Sequence, residues 1–119
     1  MSFGLVMALM GAAVAASLAG AGSAFGVAIA GKASAGVLAE KPELYGKTLL
    51  LQALPGTQGI YGFLVAVLIL VKIGLLGGTP VNLTAFDGFA YLAAGIPVGF
   101  TGITSGLYQG KAAAASILM

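Results

Sequence analysis

The chain has 119 residues, of which 60% are hydrophobic and only 7% are charged, with a formal net charge of +2 and a mean hydropathy of +1.10. Soluble domains carry about 25% charged residues, so this composition cannot cover a water-facing surface and excludes a soluble globular domain. The sequence has no cysteine and no histidine, which excludes a disulfide framework and the commonest metal ligand. The few lysines form no basic cluster, so we expect no nucleic-acid partner.

The charged residues are confined to short stretches of the chain. Residues 1–31, 48–71 and 88–110 contain none, and each run exceeds the roughly 20 residues that a helix needs to cross a bilayer. A transmembrane β-barrel would need alternating polar and apolar residues, and these runs show no such alternation. We therefore predict an all-α membrane protein with three transmembrane helices.

The first predicted helix extends from about Phe3 to Leu38. Its apolar start is too long for the h-region of a cleaved signal peptide, so we interpret it as part of the mature protein. A charged loop at residues 40–47 follows, where Pro42 cannot continue a helix. Most of the basic residues fall at the end of the helices that carries this loop: Lys32, Lys41, Lys47 and Lys111. By the positive-inside rule, we expect the loop to be cytoplasmic.

The second predicted helix covers residues 48–77 and ends at a Gly-Gly pair, so that residues 1–80 form a first transmembrane hairpin. Thr84 and Asp87 then match a capping box, which predicts that a third helix starts near Thr84. This helix continues to the end of the chain. Residues 81–119 are therefore predicted to hold the first helix of a second hairpin.

An internal repeat supports this division into hairpins. Residues 31–36 read Gly-Lys-Ala-Ser-Ala-Gly, and residues 110–115 read Gly-Lys-Ala-Ala-Ala-Ala, an offset of 79. We interpret the third helix as a second copy of the first. On this alignment Met119 corresponds to the first residue of the loop, so we expect that a fourth, returning helix of about 40 residues is missing from this sequence.

Small residues recur at helical spacing on both copies of this helix. Small-xxx-small ridges of this kind allow helix backbones to approach closely in lipid. The predicted packing residues are Gly22, Gly26, Gly102, Gly106 and Gly110. The pattern fits ordinary packing inside one bundle as well as the inner wall of a ring of many copies, and alone it does not separate the two.

The second helix carries polar groups where a membrane-spanning helix is usually apolar. Leu54, Gln58 and Tyr61 are spaced i, i+4 and i+7, so they share one helix face, and Thr57 lies beside them. Pro55 removes a backbone donor, which frees nearby carbonyl oxygens to interact with another group. Hydroxyl, amide, phenol and carbonyl groups together offer oxygen ligands for a hard cation.

A second deep amide, Gln109, lies on the third helix. Polar groups inside a membrane are costly unless they are paired or functional. The polar residues therefore form either an ion site or a set of interhelical hydrogen bonds that holds the bundle together. Asp87 is assigned to the helix cap, and no acidic residue stands near mid-membrane. The glycines form no phosphate loop, so we expect no ATP site and no catalytic residue.

Residues 51–63, Leu-Gln-Ala-Leu-Pro-Gly-Thr-Gln-Gly-Ile-Tyr-Gly-Phe, resemble the second helix of the proteolipid (c or K) subunit of bacterial V-type (A/V-type) rotary ATPases. Residues 100–102 and 105–111 resemble its third helix. The resemblance implies four helices in two hairpins, assembled with further copies into a rotor ring of the bacterial plasma membrane. It also implies contacts with lipid, with a stator subunit of the a or I type, and with a central-stalk subunit at the 40–47 loop.

The same resemblance implies an ion site. The positions that match the Na⁺ ligands of sodium-pumping members are the carbonyl of Leu54 and the side chains of Thr57, Gln58 and Gln109. Tyr61 matches a tyrosine that hydrogen-bonds an essential glutamate of the fourth helix, and this sequence ends before that glutamate. The expected function is therefore ion translocation without an organic cofactor. Na⁺ is favoured over H⁺ because only Na⁺ needs several oxygen ligands.

Two other functions stay open on the sequence alone. A passive channel or pore lined by Thr57, Gln58 and Gln109 would conduct ions without ATP or a stator. A purely structural membrane-bundle protein would use the same residues only to link its helices, and Gln58→Leu would then leave ion binding unchanged.

Overall fold

A single long helix opens the fold. The computed structural model describes residues 2–79 and 81–119, and its first element, α1, spans Phe3–Glu40. The Ser2 hydroxyl caps this helix by accepting a hydrogen bond from the Leu5 backbone N–H at 3.1 Å. At 1.5 Å per residue, α1 is about 57 Å long. Its length accounts for the longest dimension of the fold, 58 Å.

The loop between the first two spans is shorter than predicted. A 3₁₀ turn at Pro42–Leu44 leads directly into α2, Tyr45–Ala53. Pro42 stands at the start of that turn, where its fixed φ angle and missing N–H are compatible with the beginning of a helix. The second span therefore begins before residue 48, and the predicted loop over residues 40–47 is wrong in its extent.

The second span is broken near its middle. A 3₁₀ turn at Leu54–Gly56 separates α2 from α3, Thr57–Lys72. The span ends at Lys72 rather than at residue 77, because Gly74 and Gly77 have positive φ angles of 81° and 74°, outside the right-handed helical region. The predicted hairpin boundary at residue 80 lies outside the described residues.

The last helix, α4, spans Ala85–Ile117. Its N-cap is Thr84, whose hydroxyl accepts a hydrogen bond from the Asp87 backbone N–H at 3.1 Å, so the predicted cap is confirmed. Pro97 lies inside this helix. The Thr101 hydroxyl donates to the Pro97 carbonyl at 2.7 Å, a local contact within the same helix.

Three helical segments of the described chain are long and apolar enough to cross a bilayer: Phe3–Glu40, Pro42–Lys72 and Ala85–Ile117. Every regular element of the described residues is helical. Large apolar side chains point outward along these segments, including Phe63 and Phe100. Such a surface is stable in lipid and not in water. The predicted all-α membrane fold is confirmed, and the chain is an integral membrane protein.

The α1 and α4 helices run parallel and touch backbone to backbone. All five glycines predicted to pack helices lie in this contact. Gly22 lies against Gly102, and Gly26 lies against Gly106 and Gly110. A Cβ atom added at Gly102 would fall 2.7 Å from the Cβ atom of Ala19, closer than real side chains approach. The two ridges therefore pack against each other within one chain.

Candidate functional site

The break in the second span, at Leu54–Gly56, packs against α1. Pro55 is fully buried, and a Cβ atom added at Gly26 would fall 2.7 Å from the Pro55 Cβ. The Gly59 backbone N–H, in the first turn of α3, donates to the Ser23 hydroxyl at 2.7 Å. First-turn N–H groups have no partner within their own helix. The α1 helix thus fixes the position of the break and satisfies one of the donors that the break exposes.

The carbonyl of Leu54 lies at this break. The Thr57 backbone N–H and the Thr57 hydroxyl both donate to it, the hydroxyl at 3.1 Å. The same hydroxyl lies 3.3 Å from the Oε1 atom of Gln58. Three oxygen atoms, from the Leu54 carbonyl, the Thr57 hydroxyl and the Gln58 amide, are therefore close together at the start of α3.

The Gln58 side chain connects this group to α4. It is only 8% exposed. Its Nε2 atom donates to Gln109 Oε1 at 2.6 Å and to Ser105 Oγ at 2.9 Å. The two hydrogen atoms of an amide nitrogen are thereby both used. The structure thus brings together four predicted ion ligands, Leu54, Thr57, Gln58 and Gln109, in one hydrogen-bonded cluster.

The cluster carries no formal charge. It consists of hydroxyl, amide and carbonyl groups, whereas the three acidic residues, Glu40, Glu43 and Asp87, belong to the ends of helices or to the short loop. No group of three or more His, Cys, Asp or Glu residues comes together in the part of the chain that the structure describes. The atoms that could bind an ion are therefore all uncharged oxygen atoms, which suit a hard cation rather than a transition metal.

A cleft of about 130 Å³ opens beside Gln58. Its lining residues are Gln58, Tyr61, Val98, Thr101, Gly102 and Ser105. The Tyr61 side chain is 58% exposed and borders this cleft without joining the hydrogen bonds of the cluster. The structure places Tyr61 next to the predicted ligands, on the side where the cluster is open.

Residues 10–69 match the family model for the C subunit of ATP synthase. The V-type sodium ATPase subunit K of Enterococcus hirae is 43% identical over 96% of this chain and 69% of its own length. The A-type ATP synthase subunit K of Methanocaldococcus jannaschii is 41% identical over 95% of this chain, which spans 46% of that protein. The V-type proton ATPase 16 kDa proteolipid subunit of Chrysotila carterae is 40% identical over 78% of this chain and 57% of its own length.

This chain belongs to the family of ATP synthase C subunits. The resemblance to rotor-ring proteolipid subunits of V-type ATPases, predicted from residues 51–63, 100–102 and 105–111, is confirmed. Assembly of copies into a ring is a property of this family, which supports the predicted homo-oligomer.

Two serines that contact the second span, Ser105 and Ser23, are not among the residues predicted from the sequence of this ATP synthase C-subunit family member. Ser105 contacts Gln58 from α4, and Ser23 contacts Gly59 from α1. A signal for Ser105 was available, because it lies one helical turn before Gln109 and so shares its helix face. Ser23 had no such signal, since one serine in an Ala/Gly-rich helix resembles any other small residue.

The Ser23→Ala substitution is expected to lower the free energy of unfolding by about 1–2 kcal/mol, because the Gly59 N–H loses its partner in a buried setting. Denaturation in detergent micelles, followed by circular dichroism, would measure the change. Ser116→Ala is the matched control, since Ser116 is exposed near the end of α4. Equal stability of Ser23→Ala and the unsubstituted protein would show that this capping contact contributes nothing.

Proposed function

We propose that this chain is an ion-translocating rotor-ring subunit of a V-type ATPase and that its coupling ion is Na⁺ rather than H⁺. One observation carries the choice of ion: four neutral oxygen donors, from Leu54, Thr57, Gln58 and Gln109, lie in one cluster at the helix break. Na⁺ needs several oxygen ligands to replace its hydration shell. A proton needs only a single carboxylate, so binding H⁺ alone does not require this set of oxygen atoms.

In the structure, hydrogen bonds inside the cluster occupy the positions that we assign to ion contacts. The Thr57 hydroxyl, which has one hydrogen to donate, lies 3.1 Å from the Leu54 carbonyl oxygen and 3.3 Å from Gln58 Oε1, and Gln109 Oε1 accepts from Gln58 Nε2. When Na⁺ binds, it contacts these same oxygen atoms, while Gln58 Nε2 keeps its hydrogen bonds to Gln109 and Ser105 on α4. The oxygen atoms of the cluster therefore have a partner whether the site is loaded or empty, which limits the cost of an intramembrane polar site.

A cation held by neutral oxygens alone would carry an uncompensated charge in the bilayer, which is unfavourable. We propose that a carboxylate from outside these 119 residues supplies the counter-charge at the cleft bordered by Tyr61 and Gln58. The phenol of Tyr61 then hydrogen-bonds that carboxylate. Loading neutralises the carboxylate, so that a filled site can face hydrocarbon while the ring turns.

The proposed arrangement of the chain follows the two-hairpin plan. The α1 helix with the α2–α3 span forms a first hairpin, and α4 forms the first helix of a second. The short turn at residues 41–44 faces the cytoplasm and a central-stalk subunit, consistent with the lysines at that end. A stator subunit of the a or I type loads and unloads the ion. We propose that the membrane in question is a bacterial plasma membrane, since the V-type sodium ATPase subunit K of Enterococcus hirae is a bacterial relative.

Equilibrium binding of ²²Na⁺ to the full-length protein, purified in detergent, tests the choice of ion. We expect saturable binding, and we expect Thr57→Val to weaken it at least about tenfold because a ligand hydroxyl is replaced by a methyl group of similar size. Thr104→Val is the matched control, because the Thr104 hydroxyl donates only to carbonyls of its own helix. Absence of saturable Na⁺ binding, together with Na⁺-independent proton transport by the assembled ATPase, would establish H⁺ as the coupling ion instead.

A further inference from the structure

We propose that Ser105 is a positioning residue that holds the Gln58 amide with its oxygen turned toward the ion. The inference rests on the proposed function of the cluster as a Na⁺ site. Ser105 is not one of the predicted ligands. Its hydroxyl on α4 nevertheless controls the affinity and the selectivity with which the site binds its ion.

The geometry of the Gln58 amide supports this role. Its nitrogen lies 2.9 Å from Ser105 Oγ and 2.6 Å from Gln109 Oε1, so that each of its two hydrogen atoms has an acceptor on α4. Its oxygen lies on the other side of the group, 3.3 Å from the Thr57 hydroxyl. A flipped amide would turn its oxygen against Gln109 Oε1 and would aim its N–H groups at the ion site.

Ser105 and Gln109 lie one turn apart on the same face of α4, so the two acceptors are held by one rigid element. Gln109 alone is a weak restraint, because its own amide can rotate together with that of Gln58. The Ser105 hydroxyl is short and attached directly to the helix backbone. It therefore supplies the second fixed acceptor that makes one orientation of Gln58 favourable.

A fixed orientation affects selectivity as well as affinity. Oxygen ligands held at set positions favour an ion of one size, whereas ligands that can rearrange accept ions of several sizes. Ser105 also borders the cleft beside Gln58. Loss of its hydroxyl group loosens the amide on the side where the cluster is open to the cleft.

The test compares Na⁺ and Li⁺ binding to the full-length protein by ²²Na⁺ binding and Li⁺ competition. We expect Ser105→Ala to weaken Na⁺ binding about tenfold and to lower the ratio of Na⁺ to Li⁺ affinity. Ser105→Thr retains the hydroxyl and should restore both values, while Ser105→Cys, with a weaker acceptor, should be intermediate. Thr104→Val removes a neighbouring hydroxyl that bonds only within α4 and should change neither value.

Two results would overturn the inference. Unchanged Na⁺ affinity in Ser105→Ala would show that Gln58 needs no second acceptor. An equal loss of Na⁺ and Li⁺ affinity, with an unchanged ratio, would show that Ser105 only supports the fold. Gln58→Leu, measured in parallel, separates this failure from failure of the proposed function: if Gln58→Leu abolishes Na⁺ binding, only the role of Ser105 is wrong, and if it does not, the ion site itself is wrong.

Discussion

Gly106→Ala is expected to destabilise the protein by about 2–3 kcal/mol, a large effect for the addition of one methyl group. A Cβ atom at this position would fall 2.5 Å from the carbonyl carbon and 2.6 Å from the carbonyl oxygen of Gly22. Both are backbone atoms, so no side chain can rotate away to make room. The α1 and α4 helices would have to separate along their contact, which removes close packing that lipid does not replace.

The matched control is Gly36→Ala, also a glycine-to-alanine change within a long helix. Nothing lies within 4 Å of a Cβ atom added at Gly36. Because alanine favours helix over glycine, this variant should be neutral or more stable by up to about 1 kcal/mol. Denaturation in detergent micelles would measure both variants, and the free energy of unfolding should fall for Gly106→Ala and stay equal or rise for Gly36→Ala. Equal stability of Gly106→Ala and the unsubstituted protein would mean that α1 and α4 are not in backbone contact.

Gln58→Leu is expected to abolish measurable Na⁺ binding, with an affinity loss of at least about a hundredfold. The substitution removes one ligand oxygen, and it also removes the donor that holds Gln109 and Ser105 in place. Leucine has a similar size and is favourable in a bilayer, so the fold should persist. Binding of ²²Na⁺ to the full-length protein, with circular dichroism to monitor helix content, would measure both effects.

Gln52→Leu is the matched control for this substitution. Gln52 carries the same amide on the same span, and it takes part in none of the hydrogen bonds of the cluster. Its replacement should leave Na⁺ affinity within about twofold. If Gln58→Leu also binds Na⁺ normally, the cluster only links helices, as in a structural bundle protein. Na⁺ conductance through the protein without ATP or a stator would instead identify a passive channel.

The membrane-spanning architecture could be predicted from the sequence because its cause is local. Charge-free runs of sufficient length must form helices in lipid, where every backbone polar group needs an internal partner. The start and end of the second span were harder to predict, because Pro42 can end one helix or begin the next. Similarly, Gly74 and Gly77 both permit a positive φ angle, and the end of the helix depends on the surrounding packing.

The residues of the cluster could be predicted as ion ligands because residues 51–63 and 105–111 resemble specific segments of a known family. The contacts that hold these residues to the rest of the protein could not be predicted. Ser105 meets Gln58 across 47 residues of sequence, and Ser23 meets Gly59 across 36. The spacing of Ser105 from Gln109 is the one indication that the sequence offers. For Ser23 there is none, because serine fits a small-residue helix as readily as alanine or glycine does.

The backbone contact between α1 and α4 has a mechanical consequence. Glycine has no side-chain rotamers, so thermal motion cannot loosen such a contact by rotamer changes, and closely packed interiors have low compressibility. The two parallel helices should therefore bend together as one unit, which is stiffer than either helix alone. The first turn of α3 is hydrogen-bonded to both, through Gly59 to Ser23 on α1 and through Gln58 to Gln109 on α4. A force applied to α3 perpendicular to its axis should therefore be carried by α1 and α4 together, and the arrangement of Gln58 and its neighbours should change little.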